Sequence, residues 1–307
     1  MTHHPGRLLR WLNNVENLFF SLKDFFAALI AYPFMYNAMH ASLLASVACG
    51  IIGTLTVQNR MTFLAGGASH AAYGGIGIAF YFKLPMLPCT LGFTLLASLL
   101  MGVLTLRTEK NGRSGEASTD ASIGVLWAAG MAFGIILVEL TPGYASELMG
   151  FLFGSILVVP ATDITAMAVF DGILLIILFL FRQGLWAISL DREFSRSRGL
   201  PVDALFLLTV GLTAVSVVML IRIVGLILVL ALLTIPPYLA RRVCSSLYST
   251  MFLAGILALL FCFLGLFVSW YTNISSGASI IAVATVVYFL SHLPAVRLLS
   301  RALPKKS

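Results

Sequence analysis

Charge is scarce in this 307-residue chain: only 10% of its positions are Asp, Glu, Lys or Arg, where a soluble domain carries about a quarter. So few charges exclude a soluble domain of ordinary size. Cysteine is also rare. Cys49, Cys89, Cys244 and Cys262 are scattered and form no CxxC pair, which argues against a disulfide framework or metal knuckle and leaves them as small packing residues. None of the five lysines stands in a GxxxxGK[ST] loop, so the sequence offers no phosphate-binding loop. There is no Gly-x-Ser-x-Gly elbow and no His-Glu-x-x-His pair. Without a nucleophile–base pair, an intramembrane enzyme is poorly supported. The stretch Met1 to Arg7 has no cleavable signal pattern.

What fills the chain instead is hydrocarbon. Apolar residues make up 60% of it and the mean hydropathy is +1.00. Runs of about 20 apolar residues, each long enough to cross about 30 Å of bilayer core, recur from Tyr32 to Leu293. The expected spans are 32–57, 62–82, 86–106, 121–140, 162–182, 203–221, 223–240, 250–270 and 276–293. Only Arg222 separates the sixth from the seventh, so eight or nine crossings are expected. The predicted fold is an all-α integral membrane domain over 32–293. An N-terminal arm, 1–31, precedes it, with Val15 to Ile30 suited to lie at the membrane surface. A basic tail, 294–307, follows.

With the N-terminus outside and the C-terminus inside, 14 of the 19 Lys and Arg residues fall in inner segments, which favours that orientation. The net charge of +7 then reflects cytoplasmic loops rather than a nucleic-acid surface. Two segments break the spanning pattern. Glu147 to Ser155 is too short to cross and reads as a re-entrant half-helix at the outer mouth, facing protein or water. Leu190 to Pro201 is charged and helix-compatible, on the inside, and stopped by Gly199 and Pro201.

Few residues are left to carry chemistry. Nine of the twelve residues from Gly66 to Gly77 are Gly, Ala or Ser, a surface on which helices approach closely. In their midst stands His70. An ionisable group at that depth faces a pathway or a partner, and neutral imidazole is a good ligand for zinc, iron or manganese; the alternative is a structural histidine bonded to a helix carbonyl. His40, about two turns shallower, reads as an entry ligand or, better, as a hydrogen-bonded packing residue. Glu139 and Glu147 flank the outer mouth, where they attract a cation or are simply solvated. Asp163 and Asp171 share a face of the fifth span, Asp163 as a candidate N-cap and Asp171 deeper and without an identified partner. His292 falls at the inner boundary.

Arg60-Met61, Gly66 to Ala71 and Gly74-Gly75 together resemble the second-helix signature of the metal-type ABC permeases, the membrane subunits of bacterial zinc, manganese and iron importers. Further pieces follow in order: Ser122-Ile123-Gly124 through Ile136; Leu152-Phe153-Gly154-Ser155-Ile156-Leu157; Asp191 to Val202; Val224 to Val229 with Leu233, Pro236 and Ala240-Arg241-Arg242; and Ser276 to Ile280. The resemblance covers residues 33–293. It implies a homodimer with a central path, a separate cytoplasmic ATPase docked on a coupling helix (Asp191, Arg192, Glu193, Phe194, Arg196, Arg198, Gly199), an extracytoplasmic metal-binding protein, and the inner membrane of a bacterium. It also implies a metal gate at His70, with Gly66 where the family commonly carries an aspartate one turn earlier. The resulting expectation is an importer permease for a divalent metal, zinc first and manganese or iron after it, working by alternating access and with no cofactor of its own. The competing expectation is a stand-alone secondary carrier or cation channel.

Overall fold

The computed structural model describes residues 24–110, 116–142 and 156–293. Among them there is helix and connecting turn but no strand, as expected where every backbone polar group must be satisfied within its own segment. The chain is helical over 24–31, denoted α1. Phe25 anchors it edge-on between Phe263 and Phe267, at 5.5 and 5.4 Å, so this part of the arm is docked on protein. Helix α2, Pro33–Gln58, starts on a proline whose missing N–H costs nothing at that position. There follow α3 (Thr62–Phe82), α4 (Met86–Lys110) and α5 (Glu116–Glu139), then a 3-10 turn at Ile156–Val158, and α6 (Ala161–Leu190). The short α7 (Arg192–Ser197) leads into α8 (Val202–Val224), α9 (Leu226–Arg241), α10 (Leu247–Thr272) and α11 (Ser276–Leu290).

By length and hydropathy, six of these are able to cross a membrane: α2, α4, α5, α6, α8 and α10. At 21 residues α3 is as long, but its glycines, alanines and His70 dilute its hydropathy. Helices α9 and α11, at 16 and 15 residues, are apolar and shorter. The expected half-helix, Glu147 to Ser155, lies outside the described residues.

Helices α2 and α8 form the centre, each with 72% of its apolar window buried, against 22% for α5 and α6. Around them, α3, α4 and α5 pack on one another, with α3 and α4 reaching α8, while α9, α10 and α11 pack on one another, with α9 and α10 reaching α2. The small residues of α3 permit the first of these clusters. A Cβ on Gly77 would stand 2.5 Å from the Gly134 carbonyl oxygen of α5, and one on Gly75 would stand 2.5 Å from the Thr90 Cα of α4. The backbones themselves are therefore in contact.

Three local features were not foreseen. Helix α2 carries a π-turn at Cys49–Gly53, where Gly50 and Gly53 lie against the backbones of α10 and α9. Helix α8 runs through Arg222 and ends at Gly225, whose φ of 86° reverses the chain at a buried position. The break thus falls three residues after Arg222, whose side chain is not in a loop but clasps Asp163 of α6 at 2.6 and 3.2 Å. That pairing also corrects the N-cap reading of Asp163: the N-cap is Pro160, and Asp163 sits inside the first turn.

Candidate functional site

His70 lies midway along α3, half-buried, with its ring stacked on Trp127 of α5 at 4.4 Å and 22°. The stacking fixes the ring plane while leaving its edge available. Among the described residues neither imidazole nitrogen is hydrogen-bonded, unlike the structural histidine of the alternative reading. One turn earlier, a Cβ on Gly66 would meet only Leu230 Cδ2, at 3.7 Å. Packing therefore does not impose glycine there; the chain simply lacks a side chain facing α9. Among the described residues no three His, Cys, Asp or Glu groups are placed to hold a metal ion together, so His70 belongs to no ready-made three-donor cluster there.

The other candidates separate from His70. His40 is exposed on α2, and its Nδ1 lies 2.9 Å from the Tyr36 carbonyl oxygen, the hydrogen-bonded arrangement preferred above. Glu139 is exposed at the end of α5, and Glu147 lies outside the described residues. Asp171 is 4% exposed and neither carboxylate oxygen has a hydrogen-bond partner. It belongs to a buried polar patch between α6, α2 and α10, with Cys49 in electrostatic range and Cys262 beside the Ser42 hydroxyl. His292, at the end of α11, packs against Tyr238 and Tyr288, its Nδ1 2.9 Å from the Tyr288 carbonyl oxygen.

The segment 190–201 folds as foreseen. Asp191 caps α7 by accepting from the Phe194 N–H at 3.0 Å. Gly199, at φ 78°, closes the helix, its N–H donating to Arg196 and that of Leu200 to Ser195. Ser195 is the buried foot of this helix; Glu193, Phe194, Arg196, Arg198 and Gly199 are exposed. Arg196 and Lys110 both grip Asp203, at 2.9 and 2.6 Å, which ties α7 to α8 and α4.

Arg192 faces inward. Its guanidinium donates to the Asn59 carbonyl at 3.2 Å and to Glu109 at 3.3 Å, and lies 4.4 Å from the centre of the Phe206 ring. Burial lowers its pKa from the usual arginine value, and Glu109 opposes that shift. Beside this contact Gln58 donates to the Ser189 carbonyl at 3.2 Å and Asn59 to the Ser189 hydroxyl at 3.0 Å. The turn that launches α3, and with it His70, is thus fastened to both ends of the α6–α7 corner. A cavity of about 740 Å³ opens here, lined among others by Asn59, Arg60, Glu109, Asp120 and Arg192. Sequence reasoning missed Trp127, Asn59 and Ser189. The indole in a span of small residues was a usable signal for the first; the other two are polar residues at span ends with nothing to distinguish them.

The family described as "ABC 3 transport family" matches residues 31–295. An uncharacterized membrane protein of Synechocystis sp. is 44% identical over 85% of this chain and 91% of its own length. A "probable metal transport system membrane protein" of Chlamydia pneumoniae is 32% identical over 84% and 87%. The manganese transport system membrane protein MntC of Halalkalibacterium halodurans is 27% identical over 88% and 90%. Among solved structures, PsaBC from Streptococcus pneumoniae in complex with Fab superposes with a TM-score of 0.78 at 26% identity, covering 91% of this chain and 99% of that one. With its helices, their order and nearly its whole length accounted for, this multi-pass membrane protein belongs to the ABC 3 transport family.

Proposed function

We propose that this chain is the permease subunit of an ABC importer for a divalent first-row metal ion, zinc ahead of manganese and iron, in the inner membrane of a bacterium. The observation that carries the proposal is His70: a ring held flat against Trp127, both nitrogens unengaged among the described residues, in the middle of a backbone-packed helix. Family membership and the relatives named for metal and manganese transport support a metal as cargo. The order of metals rests on donor chemistry. Imidazole suits zinc and iron, whereas manganese is better served by carboxylate oxygen, and at Gly66 there is room for a carboxylate but none is present. Two copies in a homodimer would bring two imidazoles to one path, where the described residues of one chain hold no three-donor cluster.

In this reading the exposed side of α7, with Glu193, Phe194, Arg196, Arg198 and Gly199, receives a separate ATPase. Closure of the ATPases shifts α7, and Arg192 passes the shift to the 58–62 turn and so to His70, alternating the access of the path. Glu139 and Glu147 would meet an extracytoplasmic metal-binding protein at the other end. The test is cellular metal content in a strain dependent on this chain. His70→Ala is expected to abolish zinc accumulation, and Gly66→Asp to raise manganese relative to zinc. Unchanged zinc, manganese and iron with His70→Ala would remove the gate. The unpartnered carboxylate of Asp171 favours a second reading, a stand-alone proton-coupled carrier. Failure of any cytoplasmic ATPase to co-purify, with uptake intact and lost in Asp171→Asn, would select it.

A further inference from the structure

Away from His70, a groove of about 570 Å³ runs along the outer face of α6 toward the start of α10. Its two halves differ. One is hydrocarbon, made by Leu175, Leu178 and Phe179; the other carries Arg182, Trp186 and Tyr248. From Leu175 to Trp186 the helix rises about 16 Å, roughly the depth of one leaflet of the bilayer core. The polar half lies where α6 ends, α7 begins and α10 starts, so the aromatic and cationic groups stand at the membrane–water boundary, where indole and phenol rings are favoured.

Trp186 also borders a second, polar cavity of about 160 Å³, which continues to Arg241, Ser245 and Ser246 at the α10 N-terminus. Not every arginine is matched by an acid: Arg107, Arg198 and Arg242 stand without one among the described residues, and so do the two that border these cavities. Arg192, Arg196 and Arg222 are each paired with an acid. Arg182 and Arg241 have no acidic partner among the described residues, and Arg182 rests only on the Phe179 ring, at 5.3 Å. Two uncompensated cations, a hydrocarbon trough below them and amphipathic rings between them match one molecule with an anionic head and an acyl tail.

We infer that this groove is a binding site for an anionic phospholipid, its phosphate between Arg182 and Arg241 and its acyl chain along Leu175, Leu178 and Phe179. A second copy of the chain fits less well. A two-fold contact brings a surface against itself, and this face would set Arg182 against Arg182 with no acid to separate them; α10 contains no Asp or Glu.

The site is read independently of transport, with the full chain in detergent micelles given equal phosphatidylglycerol and phosphatidylcholine. Native mass spectrometry is expected to retain phosphatidylglycerol preferentially. In the double variant Arg182→Gln/Arg241→Gln that affinity falls by about 30-fold, the effect of two surface cations. Brominated phosphatidylglycerol is expected to quench indole fluorescence more than brominated phosphatidylcholine, and Trp186→Phe abolishes the difference. This comparison in the unaltered chain stands even if a variant folds badly. Equal retention and quenching by the two lipids would overturn the inference. So would a preference that survives loss of both arginines, or chain-to-chain crosslinks in bilayers that appear only with Phe179→Cys.

Discussion

Helices α3 and α6 are both long enough to cross a bilayer, yet they are built on opposite terms. In α3 most residues are buried and the contacts are backbone to backbone; in α6 only seven of 30 residues are buried, and Val169, Ile173, Leu175, Ile176, Phe179 and Leu180 turn outward. A glycine therefore means different things in each. A Cβ on Gly134, the α5 residue facing α3, would land on the Tyr73 carbonyl, whereas one on Gly172 of α6 meets nothing within 4 Å. Where lipid and protein are equally apolar, close approach rather than hydrophobicity decides which helix faces inward.

Breaking the α3 contact should have the largest effect. Gly134→Leu is expected to prevent assembly of α3 on α5, because neither backbone can yield as a flexible side chain would. In gel filtration from detergent it should give no monodisperse peak, and a normal peak would refute the close-packing account. The next largest effect falls on the ion pair of α6. Arg222→Ala leaves Asp163, with a side chain only 12% exposed, without its partner. The expected cost is about 2 kcal/mol, reduced from the value for a buried pair because Arg222 is more open. It would be read as a lower midpoint of thermal aggregation, and Arg222→Ala/Asp163→Asn should recover part of it.

At the far end of α6, Arg192→Ala loses its bond to Asn59 and its contact with Phe206, costing about 1 kcal/mol of stability. Metal uptake should fall much further, with the chain still in the membrane. Arg192→Lys, which keeps the charge but not the planar fork, should fall between the two. Uptake that stays normal would disconnect α7 from the α3 launch turn. The smallest effect is expected at Gly172→Ala. It meets open space and favours helix, so it is expected to leave stability unchanged or raise it by up to about 1 kcal/mol. A loss comparable to that of Gly134→Leu would show that the outer face of α6 has a packed partner.

Much of this was legible in the chain. Hydrophobic runs placed the helices, the run Gly66 to Gly77 announced a packed surface, and Asp191 with Gly199 marked the ends of α7, because caps and stops act within a few residues of their own signals. His70 could be singled out but not interpreted. Whether its ring was bonded to a carbonyl or left with free nitrogens depended on Trp127, 57 positions away. Likewise Arg222 read as a loop residue until Asp163 was seen opposite, and Asp171 was suspect from its depth alone.

The sequence by itself determined that the chain is a membrane protein, where its helices run and which few residues are costly enough to question. Hydropathy, small-residue patterns and caps are local, and a bilayer admits little but helix. Only the tertiary structure decided what those residues touch: His70 on Trp127, Arg192 on the turn before α3, Asp171 buried without a hydrogen-bond partner among the described residues, and Arg182 facing outward beside a hydrocarbon groove. A bilayer dictates that each segment be apolar, but it says nothing of which apolar surface meets which; that is settled by the shapes of side chains far apart in sequence.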